Sequence, residues 1–365
     1  MTWALLAMAT AAEPADQSSA HELYRQMEQL AQEMRAGQGT SGWSWYGELQ
    51  TAFVGERLDA SLTGSPDAET RFVFTVPRAL LGTRAALGSG LSVKAAVRIY
   101  QDEGTTAVLD DDDDVLEVPD HPDVWAADLW EGHLRWDHTG GSLIAGVMPV
   151  RFGLREIAES RYHLGALDRY RDLAWRSGSV SPQVLGLSWE GGAGPFAGAL
   201  TVANSGAHNE TEAFAAKDLI ARGKLAFADD RVVVAGSGLR GRRGADGSEG
   251  FLGVHGGVHA EAGPARVLLE GLNTLRGDTA DLGASATLGV DLGPTTMFVR
   301  GGYWEPDLAG PADLAETQVA GSFWFHVPGL ARGAVSSGLV YEVISPRDLT
   351  RAIEHDAALE ARVAF

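Results

Sequence analysis

The sequence predicts an all-β fold: a transmembrane antiparallel β-barrel of about sixteen strands, preceded by a short N-terminal periplasmic helix. Three observations carry the prediction. Segments of about ten residues alternate apolar and polar side chains, the length and period of tilted bilayer-spanning strands. Tight turns alternate with long polar connections. The last segment ends the chain on one apolar face, Ala357, Leu359, Ala361, Val363 and Phe365.

Residues 1–12 read as an export signal: Trp3, Ala4, Leu5, Leu6, Ala7 and Met8 lead into Ala9, Thr10, Ala11 and Ala12. No Lys or Arg precedes the apolar stretch. Residues 13–42 form an N-terminal helix and linker. Ser19 and Glu22 make a capping box, and Leu23, Met27, Leu30 and Met34 share one helical face. Two heptads need a partner, which is either other copies of the helix or the barrel itself.

The barrel is expected over 43–365. Its strands are read at 43–54, 76–87, 91–101, 123–137, 142–150, 182–190, 195–204 and 216–227, then at 231–240, 250–261, 265–275, 281–291, 295–305, 316–327, 331–344 and 356–365. Tight links fall at 87–91, 137–142, 190–195, 227–231, 261–265, 291–295 and 327–331. Long ones fall at 55–75, 102–122 and 151–181. Regular short-long alternation is the mark of periplasmic turns and external loops. Facing agrees with it: Val93, Ala95, Val97 and Ile99 oppose Lys94, Arg98 and Tyr100, while Leu252, Val254, Val258 and Ala260 oppose His255, His259 and Glu261. A soluble sandwich also alternates, but the many Ala and the 46 glycines suit a curved sheet facing lipid. Aromatic residues near strand ends, among them Trp43, Trp45, Trp136, Trp189 and Tyr341, fit interfacial girdles.

Composition excludes several classes. No run of about eighteen apolar residues offers a membrane helix, and the absence of cysteine removes disulfides, thiolate metal sites and a Cys nucleophile. A net charge of -20 argues against nucleic-acid binding. The cations are three lysines against 26 arginines, a skew that either high genomic G+C content or anion coordination by planar guanidinium groups explains.

The run LIAGVMPVRFGL, 143–154, resembles the phosphate-selective porins of the O and P type, through Gly146, Pro149, Phe152 and Gly153 and the strand before them. The hairpin 78–100 is similar to their early barrel, and the likeness is best over 78–189. The resemblance implies a periplasmic N-terminal helix, sixteen strands, a homotrimer, and assembly into outer-membrane lipid and lipopolysaccharide by the barrel-assembly machinery of a Gram-negative bacterium. The lysine clusters that carry phosphate in that family have no match, so phosphate selectivity does not transfer.

The expected function is passive diffusion of small ions and hydrophilic solutes with a preference for anions, without catalysis or cofactor. An outer-membrane enzyme, or a structural barrel without an open pore, is the alternative. No Ser, His and acidic residue group as a triad. The connection 151–181 is expected to fold inward and narrow the pore, with Arg151, Arg155, Arg161, Arg169 and Arg171 at the constriction, unless these only pair with nearby carboxylates such as Glu156, Glu159, Asp168 and Asp172. Arg78, Arg84, Lys94, Arg98 and Arg135 share the lumen parity and form the pore wall, or form salt bridges with Glu48 and Glu131. No metal site is expected. The acidic run 110–114 reads as a solvated loop, and His255 and His259, roughly 13 Å apart along a strand, are too far apart to chelate one ion.

Overall fold

A computed structural model describes residues 42–58, 69–101, 105–109, 115–119, 125–162, 183–204, 217–243, 249–306, 308, 315–328, 334–347 and 353–365. The expected export signal, the expected N-terminal helix with Leu23, Met27, Leu30 and Met34, and the acidic run lie outside them. In chain order the elements are β1 (Trp43–Leu58), β2 (Glu69–Gly88), β3 (Leu91–Gln101), β4 (Thr105–Leu109), β5 (Val115–Pro119), β6 (Trp125–His138) and β7 (Gly141–Pro149). Then come α1 (Arg155–Arg161), β8 (Gln183–Ala193), β9 (Phe196–Asn204), β10 (Lys217–Phe227), β11 (Val232–Arg243) and β12 (Glu249–Ala262). The last are β13 (Ala265–Arg276), β14 (Thr279–Leu292), β15 (Thr295–Glu305), β16 (Glu316–His326), β17 (Val335–Pro346) and β18 (Glu354–Ala364).

Sixteen of these strands close into one antiparallel barrel, each beside the next barrel strand along the chain, so that β3 pairs β6, with β1 pairing β18 to seal it. The remaining two, β4 and β5, form a hairpin outside the barrel. That hairpin falls in the connection read as an acidic loop, where the charge run hides two short β-prone pieces, TTAVL and VLEVP. Two link lengths also differ from expectation. The segment between β16 and β17 is wider than a tight turn, and β13 passes to β14 through only Gly277 and Asp278.

The outward face explains why this sheet has no second layer. Leu81, Leu134, Leu187, Leu200, Val254, Leu288, Val299, Val319 and Leu339 all point outward and stay exposed. An apolar patch wrapping a whole barrel belongs against lipid, because water would penalise it at about 25 cal/mol per Å². No described helix is long and apolar enough to cross a membrane; the strands do the crossing. Leu288→Arg on this face is expected to destabilise the barrel by about 2–4 kcal/mol if it lies at mid-bilayer. Urea unfolding in lipid vesicles measures this.

The closing seam depends on the chain terminus. Gly47 and Phe365 exchange both backbone hydrogen bonds, each 3.0 Å, and the Phe365 ring lies over the space a Gly47 side chain would fill. Deleting Phe365 removes that pair at the seam. Slower assembly, seen as a smaller heat-modifiable band on electrophoresis, is the expected result; an unchanged band would separate the terminal residue from assembly.

Candidate channel constriction

The Gly-x-x-Pro-x-x-Phe-Gly stretch turns the chain into the lumen. Gly146 has φ +126, and a Cβ there would overlap the carbonyl oxygen of Gly132 on the paired strand β6. β7 ends at Pro149, Phe152 is buried edge-on to His255, and Gly153 turns through φ +67 while its N–H donates to Ser237 Oγ at 2.9 Å. A Cβ on Gly153 would sit 3.0 Å from the His255 ring, so glycine fits both the turn and the approach.

α1 follows, with apolar residues at helical spacing: Leu154, Ile157, Ala158 and Tyr162. They pack on lumen-facing Val233, Ala235, Leu268, Phe298 and Trp324, and Leu154 and Ala158 are wholly buried. Phe152 joins a second cluster with Ile144, Ile220, Leu239, Phe251 and Leu272. The lumen is thus partly filled. Each large apolar side chain buried this way contributes about 1.5–3 kcal/mol, which holds the segment to the wall.

Polar anchors fix its two ends. Arg151 Nε donates to Glu190 at 2.5 Å, and its Nη1 to Glu156 at 3.3 Å. At the far end Arg161 Nη1 donates to Glu261 at 2.8 Å and lies 3.2 Å from His259 Nε2. Tyr162 Oη meets His259 Nδ1 at 2.8 Å. His259 Nε2 also lies 3.4 Å from Glu261, so the ring sits between Tyr162 and the Arg161–Glu261 pair. His255 pairs with Glu270 at 3.2 Å, so both histidines are lumen residues with protein partners; no metal-binding cluster occurs among the described residues.

Between the segment and β6–β10 lies a cavity of about 320 Å³, lined by Arg135, Ser142, Arg151, Glu156, Glu190, Arg222 and Lys224 together with small residues. That is room for roughly ten waters. Four lining cations face two lining carboxylates, and Asp137 at the edge pairs Arg135 at 2.8 Å, so one positive charge remains in excess. The carboxylates are shared: Glu190 takes Arg151 and Arg135, and Glu156 takes Arg151, Arg222 at 3.0 Å and Lys224 at 3.7 Å. Burial alone would raise the Glu156 carboxyl, but hydrogen bonding and attraction from Arg222, then Arg151 and Lys224, hold it below the ordinary range.

The expected site residues divide accordingly. Arg135 and Arg151 meet in the cavity. Arg155 is buried, Arg161 is tied to β12, and Arg169 and Arg171 fall outside the described residues. On the wall, Lys94 pairs with Glu131 at 2.6 Å and lies over the Tyr46 ring, while Arg98 pairs with Asp128 at 2.6 Å and stacks on Trp130. Glu48 pairs with Arg362 at 3.0 Å. Arg84 stands opposite Lys94 and is exposed. Arg78 is placed in β2 opposite Gln50, its side chain being outside the description.

No family model matches the chain, and no curated protein matches it. Solved structures do. An anion-selective porin from Comamonas acidovorans superposes with a TM-score of 0.61 at 11% identity, over 88% of this chain and 99% of that one. The outer membrane channel DcaP of Acinetobacter baumannii gives 0.59 at 10%, over 88% and 97%. The trimer form of OmpT, an outer membrane protein of Vibrio cholerae, gives 0.59 at 11%, over 88% and 99%. The chain has the outer-membrane porin fold. Within that porin fold the sequence reading missed three cavity residues, Glu190, Arg222 and Lys224. The signal was there: Arg222 and Lys224 alternate with outward Leu219, Leu225 and Phe227, and Glu190 follows outward Leu185, Leu187 and Trp189.

Proposed function

We propose that this protein is a porin of the Gram-negative outer membrane that passes small hydrophilic solutes by diffusion and prefers anions, working as a homotrimer. The observation that carries the reading is the cavity of about 320 Å³ in which Arg135, Arg151, Arg222 and Lys224 outnumber Glu156 and Glu190. A net charge of -20 dominates the field outside, but low-dielectric walls focus the local potential in a narrow passage, so the cavity's excess of cations governs selection there. Arginine keeps that excess at any pH the membrane meets. Arg84, Lys94 and Arg98 contribute to the opposite wall, and Arg155, Arg161, Arg169 and Arg171 belong to the inward connection. The partly filled lumen supports a narrow passage in place of a wide pore.

Reversal potential in a planar bilayer under a potassium chloride gradient tests this. The parent channel is expected to favour chloride, and paired neutralisation, Arg135→Gln with Arg151→Gln or Arg222→Gln with Lys224→Gln, is expected to lower the chloride-to-potassium permeability ratio several-fold. Cation preference in the parent, or a ratio that no pair changes, overturns the reading. Recovery in the soluble periplasmic fraction would overturn the placement in the outer membrane.

A further inference from the structure

We propose that Glu156 is a tethered counter-ion: it occupies the cationic cavity as an internal substitute for a solute oxyanion, and an oxyanion entering the cavity displaces it and lifts α1 from the wall. The proposal rests on the reading of that cavity as an anion route and adds its regulation.

Geometry points to substitution. One carboxylate serves three cations from one strand, β10, and its own segment: Oε1 takes Arg222 and Lys224, and Oε2 takes Arg151. Arg151 is also held by Glu190, but Arg222 and Lys224 share the one charge of Glu156 and stay under-neutralised. Arg222 shows it directly, since its side chain is only 8% exposed, it lines the cavity, and its Nε–H has no hydrogen-bond partner. A buried N–H without an acceptor is costly, by about 1–3 kcal/mol, and a multivalent oxyanion with several acceptor oxygens can satisfy it together with the contacts Glu156 now makes. Glu156 is itself 36% exposed and reachable from the cavity. Exchanging one oxyanion for another keeps every cation paired, so displacement does not strand a buried charge. Chloride, a single monovalent point without bidentate geometry, is a poor substitute.

The helix transmits the exchange. Glu156 ties α1 to β10, whereas Ser160 bonds back to the Glu156 and Ile157 carbonyls of its own helix. Two residues after Glu156, Ala158 is wholly buried against the wall, and it is uncovered when α1 lifts.

The chain contains no cysteine, so Ala158→Cys introduces a unique thiol. Its rate of modification by a small water-soluble thiol reagent is measured on the full-length protein in lipid vesicles, in chloride and in inorganic phosphate at equal ionic strength. Ser160→Cys, an exposed thiol on the same helix, reports reagent access. Phosphate is expected to accelerate Ala158→Cys by about tenfold or more. With Glu156→Gln added, the rate is expected to be high in chloride already, and phosphate to change it less than about twofold. Equal parental rates in both salts overturn the proposal, as does a Glu156→Gln rate that stays low. If Ala158→Cys does not fold, Ile157→Cys, also buried, takes its place in the same comparison. A cation-preferring channel whose thiol still responds to phosphate would sink the permeation reading and leave the counter-ion; an anion-preferring channel with a flat thiol rate would do the reverse.

Discussion

Gly146→Val is expected to leave little assembled barrel. The residue sits at φ +126, where a non-glycine side chain costs about 1–3 kcal/mol in backbone strain alone. The larger effect is contact: the added Cβ would overlap the carbonyl oxygen of Gly132 and crowd the His133 backbone, neither of which can rotate away as a side chain could. Relief requires parting β6 from β7, and with it the hydrogen bonds that run from Gly132↔Val147 to His138↔Gly141. Gly263→Ala is the control. That glycine has φ +58 with open space around its missing side chain, so a loss of about 1–2 kcal/mol is expected and assembly survives. Heat-modifiability and urea midpoints of the two variants, side by side, separate steric overlap from turn strain. Comparable midpoints would show that β6 and β7 can part locally without consequence.

Leu154→Asp should act on conductance more than on folding. Leu154 is fully buried among Ile157, Ala158, Leu268, Phe298 and Trp324, and a carboxylate there carries a desolvation penalty of about several kcal/mol. The wall strands keep their backbone ladders whether or not the segment is seated. Releasing the segment is therefore the easier escape. Lumen volume now filled by Phe152, Leu154 and Ile157 opens to water, and single-channel conductance is expected to at least roughly double, because current follows the free cross-section. The same conductance as the parent, in a variant that still forms a barrel, would show that residues 150–162 do not narrow the passage.

Much of the barrel was legible because a strand half in lipid writes its facing into alternate residues. Leu252, Val254 and Val258 against His255, His259 and Glu261 gave both the strand and the lumen side of β12. The same rule is silent where both faces are apolar. In β11, Val232 and Val234 meet lipid while Val233, Ala235 and Leu239 meet the inward segment, and no local pattern says which is which. That ambiguity hid the filling of the lumen. The constriction was legible in part for a related reason. Arg151 and Glu156 are five residues apart and were readable as a pair, but Arg161 finds Glu261 one hundred residues away and Glu156 finds Arg222 sixty-six away. Such partners exist only once the sheet has curled. A lumen-parity count over every strand, in place of one loop, brings Glu190, Arg222 and Lys224 into view.

The order of strands around the barrel bears on how the molecule can form. Fifteen of its sixteen strand pairings join segments adjacent in the chain or separated by one excursion, so each can zip as soon as its hairpin emerges. The remaining pairing, β1 with β18, brings together residues about three hundred positions apart, from Leu58↔Glu354 to Glu48↔Ala364. No other pairing closes so long a loop, and because closure entropy grows only as (3/2)RT ln n, the penalty depends little on how long the intervening loops are. Until it happens, two strand edges lie open along their whole length, each a template for any other unpaired strand. Lengthening the external connections should therefore barely slow closure, whereas capturing either open edge with a peptide copying the other should arrest it.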